Sequence, residues 1–319
     1  MTWGVFLAAL AGLGLGALGP VSPELDVLAN LRGHLLGLLV FAGLALALNY
    51  RPVVILVLGA FLTLATHAIV AQQGAWPLIG QARASTARPG DWMVLSLNTW
   101  RRHPDAGTLA DQLNAAGADV LVLTEFGPNK IDQLHVLEHD YPYRQECAAD
   151  WDCAIAVLSR HPFTSAGSVS SSPGTGPARV WITFGEGDNA LTVIGVHAAA
   201  PLPSPRWHGA ELEALADIVH RTQGAVVLAG DINTTPWTST FSSFVLRSGL
   251  APMGRFLPSY PAGSAGLPQW AIDHIFASPG IRFNDVRLGP NMGSNHLPVI
   301  AYVTLPARVQ ASMPQEPPG

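Results

Sequence analysis

Leu228-Ala229-Gly230-Asp231-Ile232-Asn233 is a run of small and apolar residues that ends in a carboxylate and a carboxamide. Read as the end of a buried strand, it sets Asp231 and Asn233 two positions apart. Both side chains then leave on one face, and Gly230 lets another group approach closely. An Asx turn is the alternative that the spacing leaves open.

The same pattern, an apolar strand with a polar residue at its end, recurs along the chain. Asn98 closes Val94-Leu95-Ser96-Leu97, and Glu125 follows Val120-Leu121-Val122-Leu123-Thr124. His197 follows residues 191–196. Asp273 lies in Ala271-Ile272-Asp273-His274-Ile275-Phe276, and His296 in Gly293-Ser294-Asn295-His296-Leu297-Pro298-Val299. Strand ends let polar side chains converge while the sheets stay apolar.

Around these anchors the periodicity predicts strands over 92–97, 120–124, 154–158, 225–229, 272–277 and 297–303, and a hairpin of 180–184 with 191–196. Leu109, Leu113 and Ala116 recur at helical spacing before Gly117, and Leu212, Leu215, Ile218 and Val219 mark an amphipathic helix. Several connections are too short to hold a helix, as a plain parallel α/β fold would require. Packed sheets with helices outside are expected instead.

Each residue type suits one chemistry. A carboxylate at Glu125 is a natural ligand for a hard divalent cation, which takes oxygen donors; a solvated charge is the plain alternative. The Asn98 amide can support such a carboxylate or simply form a turn. Asp231 and Asn233 can hold an attacking water and a phosphate oxygen. An aspartate orienting a histidine, as Asp273 with His296, is the usual way to make a general base at neutral pH. A lone histidine such as His197 is more often structural.

Only 12% of residues are charged, and the apolar excess sits in the first quarter. Three apolar runs, residues 2–18, 35–48 and 52–71, approach the roughly 20 residues that span a bilayer. A cleaved signal peptide is the alternative for the first, but it lacks a basic start and two more runs follow. Three spans put the two ends of the chain on opposite sides. Arg51, between the second and third runs, places that turn in the cytoplasm and the remaining domain outside; Arg32, Arg83 and Arg88 oppose that orientation. The part after residue 90 carries one lysine and twelve arginines against twenty acidic residues, a balance of −7. That argues against nucleic acid as the main substrate without excluding it. Cys147 and Cys153 are either buried thiols or a short disulfide loop, which would need an oxidising compartment.

Taken in order, Asn98, Glu125, His197, Gly230-Asp231-x-Asn233, Ile272-Asp273-His274-Ile275 and Ser294-x-His296 resemble the endonuclease/exonuclease/phosphatase superfamily. Apolar spans ahead of such a domain also resemble its membrane-anchored branch, which includes the teicoplanin-resistance membrane proteins. The resemblance implies an α/β fold: a four-layered α/β/β/α sandwich over 91–306, preceded by three transmembrane helices within 1–72 and a linker over 73–90. Residues 307–319 are expected to form a disordered tail.

It also implies one Mg²⁺-dependent site, with Mn²⁺ as the alternative ion. Glu125, Asn98 and Asn295 are the metal residues. His296 is the base, Asp273 orients it, Asp231 aligns the water, and His197 stabilises phosphoryl charge. Asn233 contacts phosphate, and so would Arg179, otherwise a surface arginine. The family usually has Asp-His where this chain has Asn295-His296, which implies weaker metal binding. The expected function is hydrolysis of a phosphate or pyrophosphate ester, of a lipid or lipid carrier, at the extracytoplasmic face of the membrane. Trp207, Trp237 and Trp270 would touch lipid or pack in the core. A nuclease and an inactive binding scaffold are the alternatives.

Overall fold

The computed structural model describes residues 2–47, 59, 88, 90–103, 105–254, 256–263 and 269–312. The chain starts with helices α1 (Thr2–Gly16), α2 (Pro23–Ala29) and α3 (Arg32–Ala47). Phe6 and Ala9 of α1 pack on Leu39, Ala42 and Leu46 of α3. The expectation of three spanning helices is not upheld. Among the described residues no single helix is long and apolar enough to cross a membrane. At 1.5 Å per residue, the 15 residues of α1 reach only about 22 Å of a roughly 30 Å hydrocarbon core. α2 and α3 together meet the length and composition, but are bent by 58° at their junction. Nearly all of the third apolar run and of the expected linker lies outside the described residues.

Then follow β1 (Trp92–Asn98), α4 (Ala106–Ala116), β2 (Val120–Thr124), α5 (Gln133–Leu137), β3 (Tyr143–Glu146) and β4 (Ile155–Ser159). β5 (Ser165–Val169), β6 (Ala178–Phe184), β7 (Leu191–His197), α6 (Pro205–Arg221), β8 (Ala225–Asp231) and α7 (Ser239–Ser248) come next. β9 (Ala251–Pro252), β10 (Asp273–Ala277), β11 (Arg282–Leu288), β12 (Val299–Thr304) and α8 (Ala307–Ser312) complete the order. The stretch expected to be a tail thus begins as a helix, with Val309 fully buried.

The strands form two six-stranded sheets, ordered β11-β12-β1-β2-β4-β3 and β5-β6-β7-β8-β10-β9. Strand alternation decides what each face meets. Val120 and Val122 of β2, Val157 of β4, Val193 of β7 and Val227 of β8 point inward and pack sheet on sheet. Leu121 and Leu123 point outward onto Leu109, Leu113, Leu134 and Leu137 of α4 and α5. Leu228 and Phe276 point outward onto Leu212, Leu215, Phe241 and Phe244 of α6 and α7. The layers therefore run α, β, β, α.

Register carries the polar strand ends to one rim. β7 and β8 run parallel with His197 opposite Asp231, and β10 pairs antiparallel with Asp273 opposite Asp231. In the other sheet Asn98 lies opposite Thr124, the residue before Glu125. A one-residue slip would turn every one of these side chains to the other face.

Gly230 permits this register. Its φ is +147°, and a Cβ there would lie 1.9 Å from the carbonyl oxygen of Val196 on β7. Neither backbone can yield without parting the β7–β8 ladder. Gly230→Ala is expected to cost about 3–4 kcal/mol of stability. Urea unfolding of the variant checks this, and an unchanged midpoint would refute it.

Candidate active site

The rim opens into a cavity of about 580 Å³. Glu125, His197, Asp231, Asn233, Asn295 and His296 all line it. Three strand ends and one loop thus deliver their polar side chains to one place.

At its floor His296 Nδ1 is 2.7 Å from Asp273 Oδ2, and both residues are buried. Ser259 donates to the same carboxylate oxygen at 2.6 Å. Burial disfavours a charge on His296. The Asp273 carboxylate, its hydrogen bond, and the charges of Asp231 and Glu125 outweigh that and push the imidazole up to about 9. Burial alone would also raise the Asp273 carboxyl, yet the attraction of His296 and the hydrogen bonds from His296 and Ser259 hold it below the usual range. The two form an oriented acid–base pair.

His296 Nε2 and His197 Nε2 each lie 3.9 Å from Asp231 Oδ2. Two imidazoles and one carboxylate therefore face a common point. Asp231 is buried at the cavity wall. Burial first, and the negative charge of Asp273 next, raise its carboxyl above the ordinary range, against the pull of His296, His197 and Asn98. Its other oxygen accepts the Asn233 backbone N–H at 2.9 Å, and the Asn233 side-chain amide donates to Ala198 O at 2.9 Å. The Asx turn and the site residue are one feature.

Asn98 joins the two carboxylates of the site. Its amide nitrogen donates to Asp231 Oδ2 at 3.0 Å and to Glu125 Oε1 at 3.2 Å, while its oxygen accepts from Trp100 N at 2.9 Å. Its nitrogen thus positions the two carboxylates, and its oxygen, with one of two lone pairs on the backbone, keeps the other. Glu125 also accepts from Arg101 N at 2.5 Å. Burial would raise the Glu125 carboxyl, but the Arg101 N–H, the two histidines and Asn98 hold it below the usual range. Trp100, Glu125 and Asn233 have φ of +56°, +50° and +53°. Left-handed backbone at non-glycine residues costs energy and gathers at functional sites.

The donor set fits a hard divalent cation. Glu125, Asp231 and Asp273 bring three carboxylates together. Asn295 Oδ1 is buried in the cavity wall without a hydrogen-bond partner. Asp231, Asp273 and His296 could also be grouped as ligands. However, the Asp273 oxygen nearest His296 already takes two hydrogen bonds, so the oxygens of Glu125 and Asn295 are the better fit to the preference of Mg²⁺.

Arg179 is a correction. Ala178 and Val180 point into the inter-sheet core, so Arg179 points to the opposite face. Its guanidinium donates to Thr175 O at 2.7 Å and Pro177 O at 3.2 Å, away from the cavity. His274 likewise faces away from the cavity and donates to Thr234 O or Ala271 O at 3.0 and 3.1 Å; burial lowers its imidazole to about 4.

Lys130 and Ser259 escape the sequence reading, whereas Ser294 and the two cysteines are named in it. Lys130 is fully buried and donates to Glu125 O at 3.0 Å, which secures that residue's left-handed turn; burial lowers its amine to about 8 against the opposing pull of Glu125. Ser259 lies in a loop with no motif. Ser294 donates to Asn98 O at 2.6 Å and ties the loop between β11 and β12 to the end of β1 in the same sheet. Cys147 and Cys153 form a disulfide. The loop they close carries Trp151, which lines the cavity and lies under the Arg101 guanidinium at 4.1 Å.

Residues 92–296 match the profile of the Endonuclease/Exonuclease/phosphatase family. No curated protein matches the chain in sequence. Among solved structures, an endonuclease/exonuclease/phosphatase from Beutenbergia cavernae DSM 12333 is similar at 22% identity. It covers 68% of this chain and 72% of its own, with a TM-score of 0.56. D. rerio TDP2 complexed with single strand DNA product is similar at 14% identity, over 67% of this chain and 99% of its own, with a TM-score of 0.57. Sphingomyelinase C from Streptomyces griseocarneus is similar at 18% identity, over 66% and 99%, with a TM-score of 0.50. At these identities the likeness bears on the fold.

Proposed function

The chain belongs to the endonuclease/exonuclease/phosphatase family, a family of hydrolases that are often metal-dependent phosphoesterases, and from that premise we propose that it hydrolyses a phosphate or pyrophosphate ester of a lipid or lipid carrier. In this reading the N-terminal helices anchor it in a membrane, as in the membrane-anchored branch it resembles, with the catalytic domain on the extracytoplasmic side. One observation carries the chemistry. The Asp273–His296 pair opens onto the same cavity as Asp231, His197 and Glu125.

With its Nδ1–H donated to Asp273, His296 presents Nε2 to the cavity. The surrounding carboxylates favour the protonated imidazole, so the base is the neutral form of His296, gained as pH rises towards about 9. That form takes the proton of a water held between Nε2 and Asp231 as the water oxygen attacks phosphorus. The ester P–O bond breaks on the far side. His197 offers an N–H to the phosphoryl oxygens, and the second amide N–H of Asn233 offers another. Phosphoryl transfer of this kind needs mainly positioning and neutralisation of oxygen charge. Glu125 and Asn295 would hold a divalent cation, Mg²⁺ or Mn²⁺, which supplies Lewis-acid neutralisation of the phosphate oxygens.

The lipid assignment draws on the balance of −7 after residue 90 and on the apolar helices ahead of the domain. A hydrolysis screen of the full chain, read by chromatography of the products, tests it. Prenyl pyrophosphates, phospholipids and DNA are compared side by side, with and without EDTA. Metal-dependent hydrolysis of a lipid is the expected result; cleavage confined to DNA would make the protein a nuclease.

Asn295 supplies an oxygen without a charge. Asn295→Asp is therefore expected to lower the Mg²⁺ concentration for half-maximal turnover about tenfold, because ligand charge tunes divalent-ion affinity. A Mg²⁺ titration of both proteins reads the shift, and identical curves would remove Asn295 from the metal site.

A further inference from the structure

The catalytic rim and the N-terminal helices are physically continuous. The Tyr260 ring lies 4.6 Å from the His296 ring, and 6.4 Å from that of Trp270. Trp270 in turn meets His34 of α3 at 4.8 Å. Three ring contacts thus join the general base to the start of an apolar helix. Beside them Trp237 stacks on Phe256 at 4.7 Å and lies so close to α3 that a Cβ on Gly33 would be 2.9 Å from its indole.

Polar bonds lock this arrangement. The buried Asp26 carboxylate accepts from Ser239 N at 2.7 Å, Thr240 N at 2.9 Å and Thr240 Oγ1 at 2.7 Å. Asn30 Oδ1 accepts from Thr235 N at 2.8 Å. Hydrogen bonds to an ionised acceptor are the strong ones. They join α2 to the stretch that follows Asp231 and leads into α7.

Past His34, α3 carries no charged side chain. Leu38, Phe41 and Leu44 are exposed on it, Phe41 at 73%, and Leu7 and Leu15 are exposed on α1. An apolar surface that ends in a ring of Trp, Tyr and Phe matches the layering of a bilayer, whose headgroup zone takes amphipathic aromatics. We propose that the α1–α3 surface sits in lipid, that Trp237, Phe256 and Trp270 lie at the headgroup level, and that the catalytic cavity opens there. The substrate would then be a membrane lipid whose phosphate enters from the bilayer surface while its chain stays in the hydrocarbon. The bilayer contact stands on the geometry above; the substrate class rests on the phosphoesterase reading.

The test reconstitutes the full chain in phosphatidylcholine vesicles with ordinary or brominated acyl chains. Brominated chains should quench part of the tryptophan emission, and the quenched part should fall about twofold in a Trp237→Phe, Trp270→Phe variant, as for aromatics at the interface. Equal quenching in both proteins overturns the placement of the rim. In a second arm, an Asp26→Ala, Asn30→Ala variant should lose about tenfold in turnover of a prenyl pyrophosphate in vesicles, the loss of effective concentration at a surface. Its turnover of soluble bis(p-nitrophenyl) phosphate should stay unchanged. Equal losses on both substrates overturn the membrane-facing cavity. Absence of turnover on either substrate by the unmodified protein counts against the phosphoesterase reading alone, since the quenching still decides the bilayer contact.

Discussion

His296→Ala is expected to lower turnover of the protein's phosphoester about a thousandfold, within the roughly 10²–10⁴ that a general base supplies. The imidazole is the group in the cavity that is both oriented by a carboxylate and aimed at the point shared with Asp231. Removing it leaves Asp273 buried with Ser259 as its partner, which should cost about 1–3 kcal/mol of stability. Thermal unfolding must therefore accompany the kinetic measurement. Asp273→Asn serves as the companion variant. It keeps the shape of the pair but turns its proton around, and it should be nearly as damaging. The double variant should be little worse than either single one, because residues that act as a unit are not additive. Full activity in His296→Ala would dismiss the base assignment.

Glu125→Gln carries the second large effect. The substitution keeps the side chain's volume in its left-handed turn and removes one charge. Turnover is expected to fall at least about a hundredfold, since a Lewis acid contributes several kcal/mol to such a reaction. The Mg²⁺ needed for half-maximal activity should rise at the same time. That pairing separates a ligand from a merely structural carboxylate. A loss of activity with an unchanged Mg²⁺ curve would place Glu125 outside the metal site.

Much of the site could be read from the chain because strand alternation and strand ends are local signals. Asp231, Asp273, His197 and His296 each terminate or border an apolar run; the paired registers bring the first three together, and the hydrogen bond to Asp273 brings His296 to them. The same alternation was available for Arg179. With Val180 turned into the core, its neighbour faces outward, so a place on the strand beside β7 does not carry Arg179 to the site. Lys130 and Ser259 carry no local mark, since their value comes from hydrogen bonds to Glu125 O and Asp273 Oδ2 that no sequence pattern announces. α7 is another such case. Its Ser239-Thr240-Phe241-Ser242-Ser243 start is poor in helix formers, and caps from Thr238 and from the remote Asp26 support it. For the N-terminal runs the apolar character was visible, but the helices that form there, α1 of 15 residues and α3 of 16, are each too short to cross a bilayer alone.

The Cys147–Cys153 loop has a practical outcome for anyone producing the protein. Trp151 rests on the Gly127 backbone and beneath Arg101, whose N–H reaches Glu125. A host cytoplasm that keeps thiols reduced would release this wall. Material purified from such a host would then hold its acidic ligand less firmly than exported material, and batches should be compared only after titrating their free sulfhydryls.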